Sequence, residues 1–323
     1  MLMAAGLGTR LRPFTDEVPK PFLPLMDVPL AQFSLDLLTR AGVRLVVVNI
    51  HHQPAAASRA IWALDRGHTR IEISDESKVL LGSAGGIRKA LPNFGDKPFF
   101  LLNADVLVDV NLPALAARHF QLKELFGVTV TLSVFPSGPK PGQYSEVSVD
   151  YKKGLVKGLG AKVTEKPFFV GAAVVEPEAI RDLSSNEPGD FVTNVLKPAI
   201  KEKKVGAYLA NGLWYDVGAP ELWFTAHKNL MQGLENGTLP SSWKWRLLSS
   251  NRRVGKNIWV SKKAPLVLDI TNWQEGCYWS PGRLQDAVPP VILGPDCILY
   301  GSSPEPRQNG IGFGSTWFSV SKT

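Results

Sequence analysis

The sequence lacks the features that mark disulfide-framed, membrane-spanning and polynucleotide-binding chains. Only two cysteines, Cys277 and Cys297, occur in 323 residues, so we expect two reduced thiols rather than a disulfide framework. No apolar run is long enough to cross a bilayer, and no charge run or basic–aromatic stripe predicts a polynucleotide groove. With no signal peptide before Met1, the expectation is a cytoplasmic protein with no membrane or nucleic-acid partner.

Histidine is also scarce, and no Cys/His cluster has the spacing of a zinc site. His51 and His52 follow a predicted strand and are interpreted as loop and helix-start residues. His68, His119 and His227 are predicted to lie at the surface or at the edge of the core. The histidines therefore indicate no particular chemistry.

The length and charge of the chain are those of an ordinary globular protein. A chain of 323 residues can bury a large core, which predicts one large domain with an appendage. The formal net charge of +7 is modest for this length. It suits a phosphate-rich substrate and does not require a nucleic acid.

The first 21 residues form the most informative stretch. The apolar run from Met1 to Ala5 is followed by Gly6 and Gly8, which permit positive φ and let backbone N–H groups approach an anion. Arg10 offers a planar fork of donors for phosphate oxygens, and Lys20 adds a compact charge between two prolines. This combination predicts binding of nucleotide phosphates.

Two familiar phosphate loops are excluded in this stretch. A Walker A loop requires G-x-x-x-x-G-K-[ST], and no such run occurs in the chain. The dinucleotide fingerprint requires a third glycine where this chain has Leu11. What remains is A-A-G-x-G-T-R-L-R-P-x-T followed by P-K-P.

Hydrophobic periodicity predicts an α/β fold with a doubly wound, mostly parallel sheet, because strands alternate with helices. The predicted strands are 1–5, 45–50, 70–74, 99–103, 128–134, 170–175, 207–209 and 214–217, with a hairpin at 145–150 and 155–163. The predicted helices are 29–41, 55–64, 113–122, 192–201 and 221–231.

Composition changes near Gly237, which predicts a domain over 1–236 and a β-rich region over 237–323. The later region shows no helical periodicity, and the stretches 254–258 and 291–295 resemble hexapeptide-repeat turns of a short left-handed β-helix. An unrelated β-rich tail is the alternative. Its tryptophans predict packing on the rest of the chain or on a second subunit, and the second alternative implies a homo-oligomer.

Four further stretches carry candidate site residues. The apolar strand 99–103 ends just before Asp105, which predicts a carboxylate at the ligand-binding edge of the sheet. Asp216 lies in the stretch 212–221. Glycines Gly82 and Gly85 open a predicted helix, where small residues allow a flat base to lie against the backbone. The segment Thr164-Glu165-Lys166-Pro167 is followed by Gly171.

The first stretch resembles the signature of the sugar-1-phosphate nucleotidyltransferase family, and Lys20 lies where that family has its lysine. The likeness covers about residues 1–235, through segments that resemble the family's L-G-T-A-G, G-D and W-x-D-x-G-T-x-E motifs. It implies a Rossmann-like nucleotidyltransferase fold. In that family the first strand begins a few residues earlier, so we expect a start upstream of Met1 or a clipped strand.

The resemblance implies a role for each matching residue. The implied catalytic residues are Arg10 and Lys20. The implied nucleotide-binding residues are Ala5, Gly6, Gly8, Thr9, Gly82 and Gly85. The implied sugar-phosphate-binding residues are Glu165, Lys166 and Gly171, although the spacer before Gly171 is shorter than in the family. The implied metal ligands are Asp105 and Asp216, and two carboxylates suit Mg²⁺ as the cofactor.

The implied reaction joins an NTP to a sugar 1-phosphate and releases pyrophosphate and an NDP-sugar. Arg10 is expected to neutralise the leaving pyrophosphate, and Lys20 to bridge the α-phosphate and the incoming sugar phosphate. The sequence does not identify the nucleobase or the sugar. Between the subfamilies, we favour a mannose-1-phosphate guanylyltransferase-like enzyme of cell-wall or polysaccharide biosynthesis. The alternatives are N-acetylmuramate-1-phosphate uridylyltransferase-like, glucose-1-phosphate thymidylyl- or uridylyltransferase-like, or a catalytically silent regulatory homologue.

Overall fold

A computed structural model describes residues 1–136, 144, 146–160, 167–184, 187–281 and 297–300, with the strand residues 310–313 and 316–318. The chain divides into two compact units. The first unit comprises Met1–Leu7, Pro19–Pro21 and Ala31–Trp214. The second comprises Gly8–Val18, Phe22–Leu30 and Tyr215–Thr323. The domain boundary expected at 236/237 stays a prediction.

The helices are α1 Leu30–Arg40, α2 Pro54–Trp62, α3 Gly82–Ala90, α4 Leu112–Phe126, α5 Lys197–Lys201, α6 Pro220–Asn236 and α7 Ser241–Ser250, with a π-helical turn Val192–Leu196 before α5. The strands are β1 Leu2–Met3, β2 Pro24–Leu25, β3 Val28–Pro29, β4 Leu45–Ile50, β5 Arg70–Asp75, β6 Phe99–Asn103, β7 Val106–Val108, β8 Val130–Phe135, β9 Val147–Asp150, β10 Leu155–Leu159, β11 Phe168–Val175, β12 Val205–Leu209, β13 Trp214–Asp216, β14 Asn251–Gly255, β15 Ile258–Ser261, β16 Tyr278–Ser280, β17 Cys297–Tyr300, β18 Gly310–Phe313 and β19 Thr316–Phe318.

A large sheet forms the centre of the first unit. Within the described residues it has nine strands in the order β5-β4-β1-β6-β11-β8-β12-β10-β9. The apolar strands β4 and β8 are almost wholly buried, as expected of strands covered on both faces. The predicted hairpin is confirmed as the antiparallel pair β9 and β10.

The sheet is mixed, so the expectation of a mostly parallel sheet is wrong. Of the eight pairings between its described strands, four are parallel (β5/β4, β4/β1, β1/β6 and β8/β12) and four are antiparallel. Strand β11 is antiparallel to both of its neighbours, β6 and β8. The apolar pattern of a doubly covered strand is the same in either direction, so it does not reveal this orientation.

The parallel half of the sheet brings three strand ends to one edge. Met3 of β1 pairs with Asn49 of β4 and with Asn103 of β6. Because the strands are parallel and in register, the residues that follow them emerge at the same carboxyl edge. These residues include the start of the glycine-rich stretch and Asp105.

Helix α4 shows how local sequence sets the element boundaries. The Asn111 side chain accepts a hydrogen bond from the Ala114 N–H at 3.0 Å and caps the helix, with Pro113 in the first turn. Gly127, at a φ of +67°, ends it. The helix is longer than the predicted 113–122 at both ends. No helix in the described parts of the chain is long and apolar enough to cross a membrane.

A second sheet, built from β14 to β19 in chain order, lies in the second unit. Strands β15, β16, β17 and β18 pair in parallel, with Trp259 opposite Tyr278 and Tyr278 opposite Ile298. Both cysteines are buried and free, as predicted. The β-helix itself stays a prediction, and its second hexapeptide-like turn, 291–295, lies outside the described residues.

Helix α7 contradicts the expectation that no helix follows Gly237. Trp243 and Leu247, four residues apart, are the buried residues of this helix. The Asn251 side chain donates to the Leu247 carbonyl at 2.8 Å and caps its end. A single buried stripe among serines and basic residues gives too weak a periodicity to stand out in the sequence. Trp245, expected to pack, is 60% exposed.

Two histidines expected at the surface or at the core edge are fully buried. His119 of α4 lies between the Thr131 hydroxyl at 2.9 Å and the Glu176 carboxylate at 3.0 Å. His227 of α6 lies 3.0 Å from the Trp223 carbonyl through Nδ1 and 2.9 Å from the Tyr300 hydroxyl through Nε2. A carbonyl only accepts, so Nδ1 carries the proton and Nε2 accepts from the tyrosine.

We predict that His227 makes stability fall below neutral pH. Burial lowers its pKa from 6.5 to about 4. Between these two pH values the imidazole is protonated in the unfolded chain and neutral in the folded chain. This contribution to the free energy of unfolding is about 3 kcal/mol. It is fully present above pH 6.5 and is lost as the pH falls towards 4. Urea unfolding between pH 7.5 and about pH 4.5 measures it.

His227→Gln should flatten this pH dependence by about 2–3 kcal/mol, whatever its effect on stability at pH 7. The control is His68→Gln, at an exposed residue, which should leave the slope as it is. Burial also lowers the pKa of His119. Both variants retain His119, so its effect on the slope is the same in each. An equal slope in His227→Gln and the unmodified protein would contradict the prediction.

Candidate active site

In the first unit, Lys20 and Asp105 form a close ion pair. The Lys20 Nζ lies 2.7 Å from the Asp105 Oδ2, although the two residues are 85 positions apart in the chain. The lysine side chain is only 10% exposed and the aspartate 36% exposed. A nearly buried ammonium needs an anionic partner. The structure therefore brings together two residues to which the sequence assigned separate roles.

In the second unit, Arg10 and Asp216 meet at Gly218. The Gly218 N–H donates to Asp216 Oδ1 at 2.7 Å. A Cβ built on Gly218 would lie 2.8 Å from Arg10 Nη2 and 2.9 Å from Asp216 Oδ1. Only glycine leaves room at this position for both the guanidinium and the carboxylate. The second pair of predicted site residues is thus also brought together.

The glycine-rich stretch continues in the second unit as a tight loop, here called the phosphate loop, residues 8–15. Gly8 has a φ of +63°, and its carbonyl accepts from the Leu11 N–H at 2.9 Å and from the Thr15 hydroxyl at 3.0 Å. Thr9 and Arg10 between them are exposed. The loop is therefore closed on itself and presents an arginine outwards.

In the first unit, the strand before this loop is fixed by two polar residues that the sequence analysis did not identify. The Ala4 N–H donates to the Asn49 side chain at 2.8 Å, and Asn49 donates to Glu76 Oε1 at 2.7 Å. Glu76 Oε2 accepts from the Leu81 N–H at 3.1 Å. Both side chains are buried. Asn49 within the apolar run LVVVNI was the available signal, because a buried amide requires partners.

The same network reaches the predicted base-recognition loop. The chain that precedes Gly82 is held by the Leu81 contact, and a Cβ on Gly86 would lie 2.5 Å from Glu76 Oε1. A Cβ on Gly82 would lie 2.5 Å from the Gly189 carbonyl oxygen, and one on Gly85 would lie 2.6 Å from that of Glu187. The absence of a side chain at Gly82 and Gly85 therefore leaves room for the backbone of residues 187–189. Contact of these glycines with a nucleotide stays a prediction.

Gly171 lies beside the end of β6. It has a φ of +84°, and a Cβ there would lie 3.0 Å from the Asn103 side-chain nitrogen. Asn103 is two residues from Asp105, so the structure brings Gly171 near the carboxylate edge. Ala5 and Gly6 follow β1 at that edge. Glu165 and Lys166 lie outside the described residues.

The donor chemistry at the two aspartates suits a hard cation. Asp105 already faces the positive charge of Lys20, and the Gly218 N–H fixes the orientation of the Asp216 carboxylate. Carboxylate oxygens are the ligands that Mg²⁺ prefers. The described residues contain no cluster of three or more acidic, histidine or cysteine ligands. A single carboxylate of either kind leaves coordination positions for water and phosphate oxygens, as Mg²⁺ sites usually do.

Residues 1–233 match the nucleotidyl transferase family. The chain belongs to this family.

Named relatives match 68–93% of this chain. The N-acetylmuramate α-1-phosphate uridylyltransferase of Neisseria meningitidis serogroup B is 30% identical over 218 residues, 68% of this chain and 92% of that protein. A UTP–glucose-1-phosphate uridylyltransferase of Synechocystis is 26% identical and covers 93% of this chain and 79% of its own. A mannose-1-phosphate guanyltransferase of Candida glabrata is 27% identical over 68% of this chain and 61% of its own.

Solved structures agree on the fold. HddC from Yersinia pseudotuberculosis superposes with a TM-score of 0.58 at 17% identity, over 71% of this chain and 97% of its own. At that identity the likeness supports the fold alone. It agrees with the α/β architecture of the large central sheet.

We predict that Gly218→Ala reduces nucleotidyl transfer by about 10-fold or more, because the added methyl would push Arg10 away from Asp216. The assay is steady-state pyrophosphate release, read with a thermal melt. Gly42→Ala is the control, since that residue has a φ of +77° and open space around its Cβ position. Comparable losses of turnover in both variants would contradict a specific role for Gly218.

Proposed function

We propose that the protein transfers a nucleotidyl group from an NTP to a sugar 1-phosphate, giving an NDP-sugar and pyrophosphate. The observation that carries the proposal is the Lys20–Asp105 pair, 2.7 Å apart at the carboxyl edge of β1 and β6. This edge is where open α/β sheets bind ligands. The activities of the uridylyl- and guanyltransferase relatives support the same reaction class.

The chain's own residues supply positioning and charge. Arg10, exposed on the phosphate loop, would neutralise the leaving pyrophosphate. Lys20 would bridge the α-phosphate and the incoming sugar phosphate. Asp105 and Asp216 would hold Mg²⁺ through carboxylate oxygens. When bound, Mg²⁺ withdraws charge from the α-phosphate. No covalent nucleophile is required, because in-line phosphoryl transfer depends mainly on positioning and electrostatics.

For the substrate, a mannose-1-phosphate guanylyltransferase-like activity is the first proposal. The guanyltransferase relative supports it. A uridylyltransferase acting on N-acetylmuramate or glucose 1-phosphate is the second, supported by the two uridylyltransferase relatives. We further propose a cytoplasmic enzyme of cell-wall or polysaccharide biosynthesis, with Glu165 and Lys166 at the sugar phosphate, and a homo-oligomer formed through the C-terminal region.

A matrix of substrates tests the proposal. The protein is incubated with Mg²⁺, each of GTP, UTP, dTTP, ATP and CTP, and each of mannose, glucose and N-acetylmuramate 1-phosphates, and pyrophosphate is measured. One NTP and sugar pair should stand out. Pyrophosphate release that does not depend on sugar phosphate would contradict transfer. No release from any pair would favour the silent regulatory homologue.

We expect Asp105→Asn and Asp216→Asn each to remove most of the turnover, because each takes one negative charge from the Mg²⁺ site. Thermal melts should show an intact fold, and Mg²⁺ titration should show a raised metal requirement. Asp96→Asn, at a highly exposed aspartate paired with Arg181, is the control and should retain full activity. Normal Mg²⁺-dependent rates in both site variants would refute the metal assignment.

Lys20→Ala should lower kcat by roughly 10²-fold, as expected for the loss of one electrostatic contact in the transition state. Lys20→Arg should restore only part of it, because a planar fork does not replace a point charge in a nearly buried position. Rates are compared at saturating substrates. A variant that changes only the KM for the sugar phosphate would make Lys20 a binding residue without a catalytic role.

A further inference from the structure

The β2–β3 hairpin, in the second unit, turns through two residues in a strained conformation. Pro24 pairs with Pro29 and Leu25 with Val28, so the turn is Met26-Asp27. Their φ angles are +48° and +63°, in the left-handed region. Two-residue hairpin turns of this type favour Asn, Asp and Gly, so Asp27 suits its position and the long side chain of Met26 is the outlier. Contacts from outside the hairpin must therefore hold this turn.

The contacts come from the ends of two strands of the second sheet. Asp27 Oδ2 accepts from the Ser261 hydroxyl at 2.6 Å, and Oδ1 accepts from the Ser280 hydroxyl at 2.7 Å. Lys263 Nζ lies 3.2 Å from Oδ2. The Asp27 side chain is 6% exposed, and both serines are fully buried. A carboxylate so placed requires these donors, because unmatched burial of a charge is very costly.

The backbone of the turn is held from the same sheet. The Asn251 side chain donates to the Met26 carbonyl at 2.7 Å and accepts from the Tyr278 hydroxyl at 2.9 Å. Burial and the Asp27 carboxylate raise the pKa of Tyr278 and of Tyr300, so both stay protonated donors. The carboxylate of Asp27 and the carbonyl of Met26 are therefore both hydrogen-bonded by residues of the C-terminal region.

Trp223 of α6 connects the hairpin to the phosphate loop. Its indole N–H donates to the Pro24 carbonyl at 3.0 Å, and its ring lies parallel to Tyr300 at 6.3 Å. The Phe14 ring packs edge-to-face against the Trp223 ring, with the two ring centroids 5.2 Å apart. Phe14 is four residues from Arg10 on the phosphate loop. Hairpin, C-terminal sheet and phosphate loop thus share one packed cluster.

We infer that Asp27 is a positioning residue, through which the C-terminal sheet holds the phosphate loop and its Arg10 in the geometry needed for turnover. Asp27, Ser261 and Ser280 form the clamp. Loosening the clamp allows the strained turn to relax, which moves Trp223 and Phe14 and so displaces Arg10. The kinetic consequence rests on the proposed nucleotidyl transfer, whereas the structural consequence does not.

The two faces of the second sheet provide a matched control. Ser261 and Ser280 point to the turn. Val260, next to Ser261, points to the other face and packs in a cluster with Trp279 and Leu299. Val260→Ala therefore weakens the same strand without touching Asp27. Comparing it with the double variant Ser261→Ala/Ser280→Ala separates loss of stability from loss of the clamp.

The first arm of the test is kinetic, at a temperature well below the melting transitions of all the variants. The serine double variant should lose about 10-fold or more in kcat, and Val260→Ala should lose less than about twofold. In an Arg10→Ala background the serine changes should have little further effect, since residues that act through one another are not additive. Additive losses, or an unchanged kcat in the serine variant, would overturn the inference.

The second arm is hydrogen–deuterium exchange of the full-length protein without substrate. Amides of residues 8–30 should exchange faster in the serine double variant and at the unmodified rate in Val260→Ala. If the unmodified protein shows no transfer with any substrate, the proposed function fails. The exchange measurement alone then decides whether the clamp holds the phosphate loop. Equal exchange in the three proteins would overturn the clamp, whether or not turnover is detected.

Discussion

A polar side chain buried away from water has to be matched by hydrogen bonds, since an unmatched one costs about 1–3 kcal/mol and a charged one more. In the first unit, this requirement ties Asn49 to Glu76, and through them the strand end at Ala4 to the loop before α3. In the second unit, it ties Asp27 to the C-terminal sheet. These few groups fix the chain after β1, the loop before α3 and the turn between β2 and β3.

The residues of the predicted active site are divided between the two units. Lys20 and Asp105 belong to the first, and Arg10, Asp216 and Gly218 to the second. Between Leu7 and Ala31 the chain passes from one unit to the other four times. Five prolines in this stretch restrict its backbone, which lowers the entropy lost when it is ordered: Pro13, Pro19, Pro21, Pro24 and Pro29.

Much of the fold could be predicted where the signal was local. The bounds of β4 and β6 match the predicted 45–50 and 99–103, because each is a short apolar run with clear ends. Strand direction could not be predicted, since it depends on which distant strands pair. Helix α7 and the burial of His119 and His227 were missed because tertiary packing, and not periodicity, decides them.

For the site, the motif residues could be predicted but not their partners. That Lys20 would pair with Asp105, or that Arg10 and Asp216 would both lie close to Gly218, depends on contacts between residues far apart in the chain. Asn49 and Asp27 carry no motif. The apolar run around Asn49 gives a hint of its burial, whereas nothing in the sequence around Asp27 indicates that its carboxylate is buried.

The close approach of residues 187–189 to α3 bears on any attempt to redesign substrate choice. Gly82 and Gly85 face carbonyl oxygens at distances that no side chain tolerates. In a saturation library, both positions would return only glycine among folded clones, regardless of the nucleotide offered. Diversity placed there would be wasted. Residues of the loop that do not face 187–189 are the ones a selection experiment should randomise.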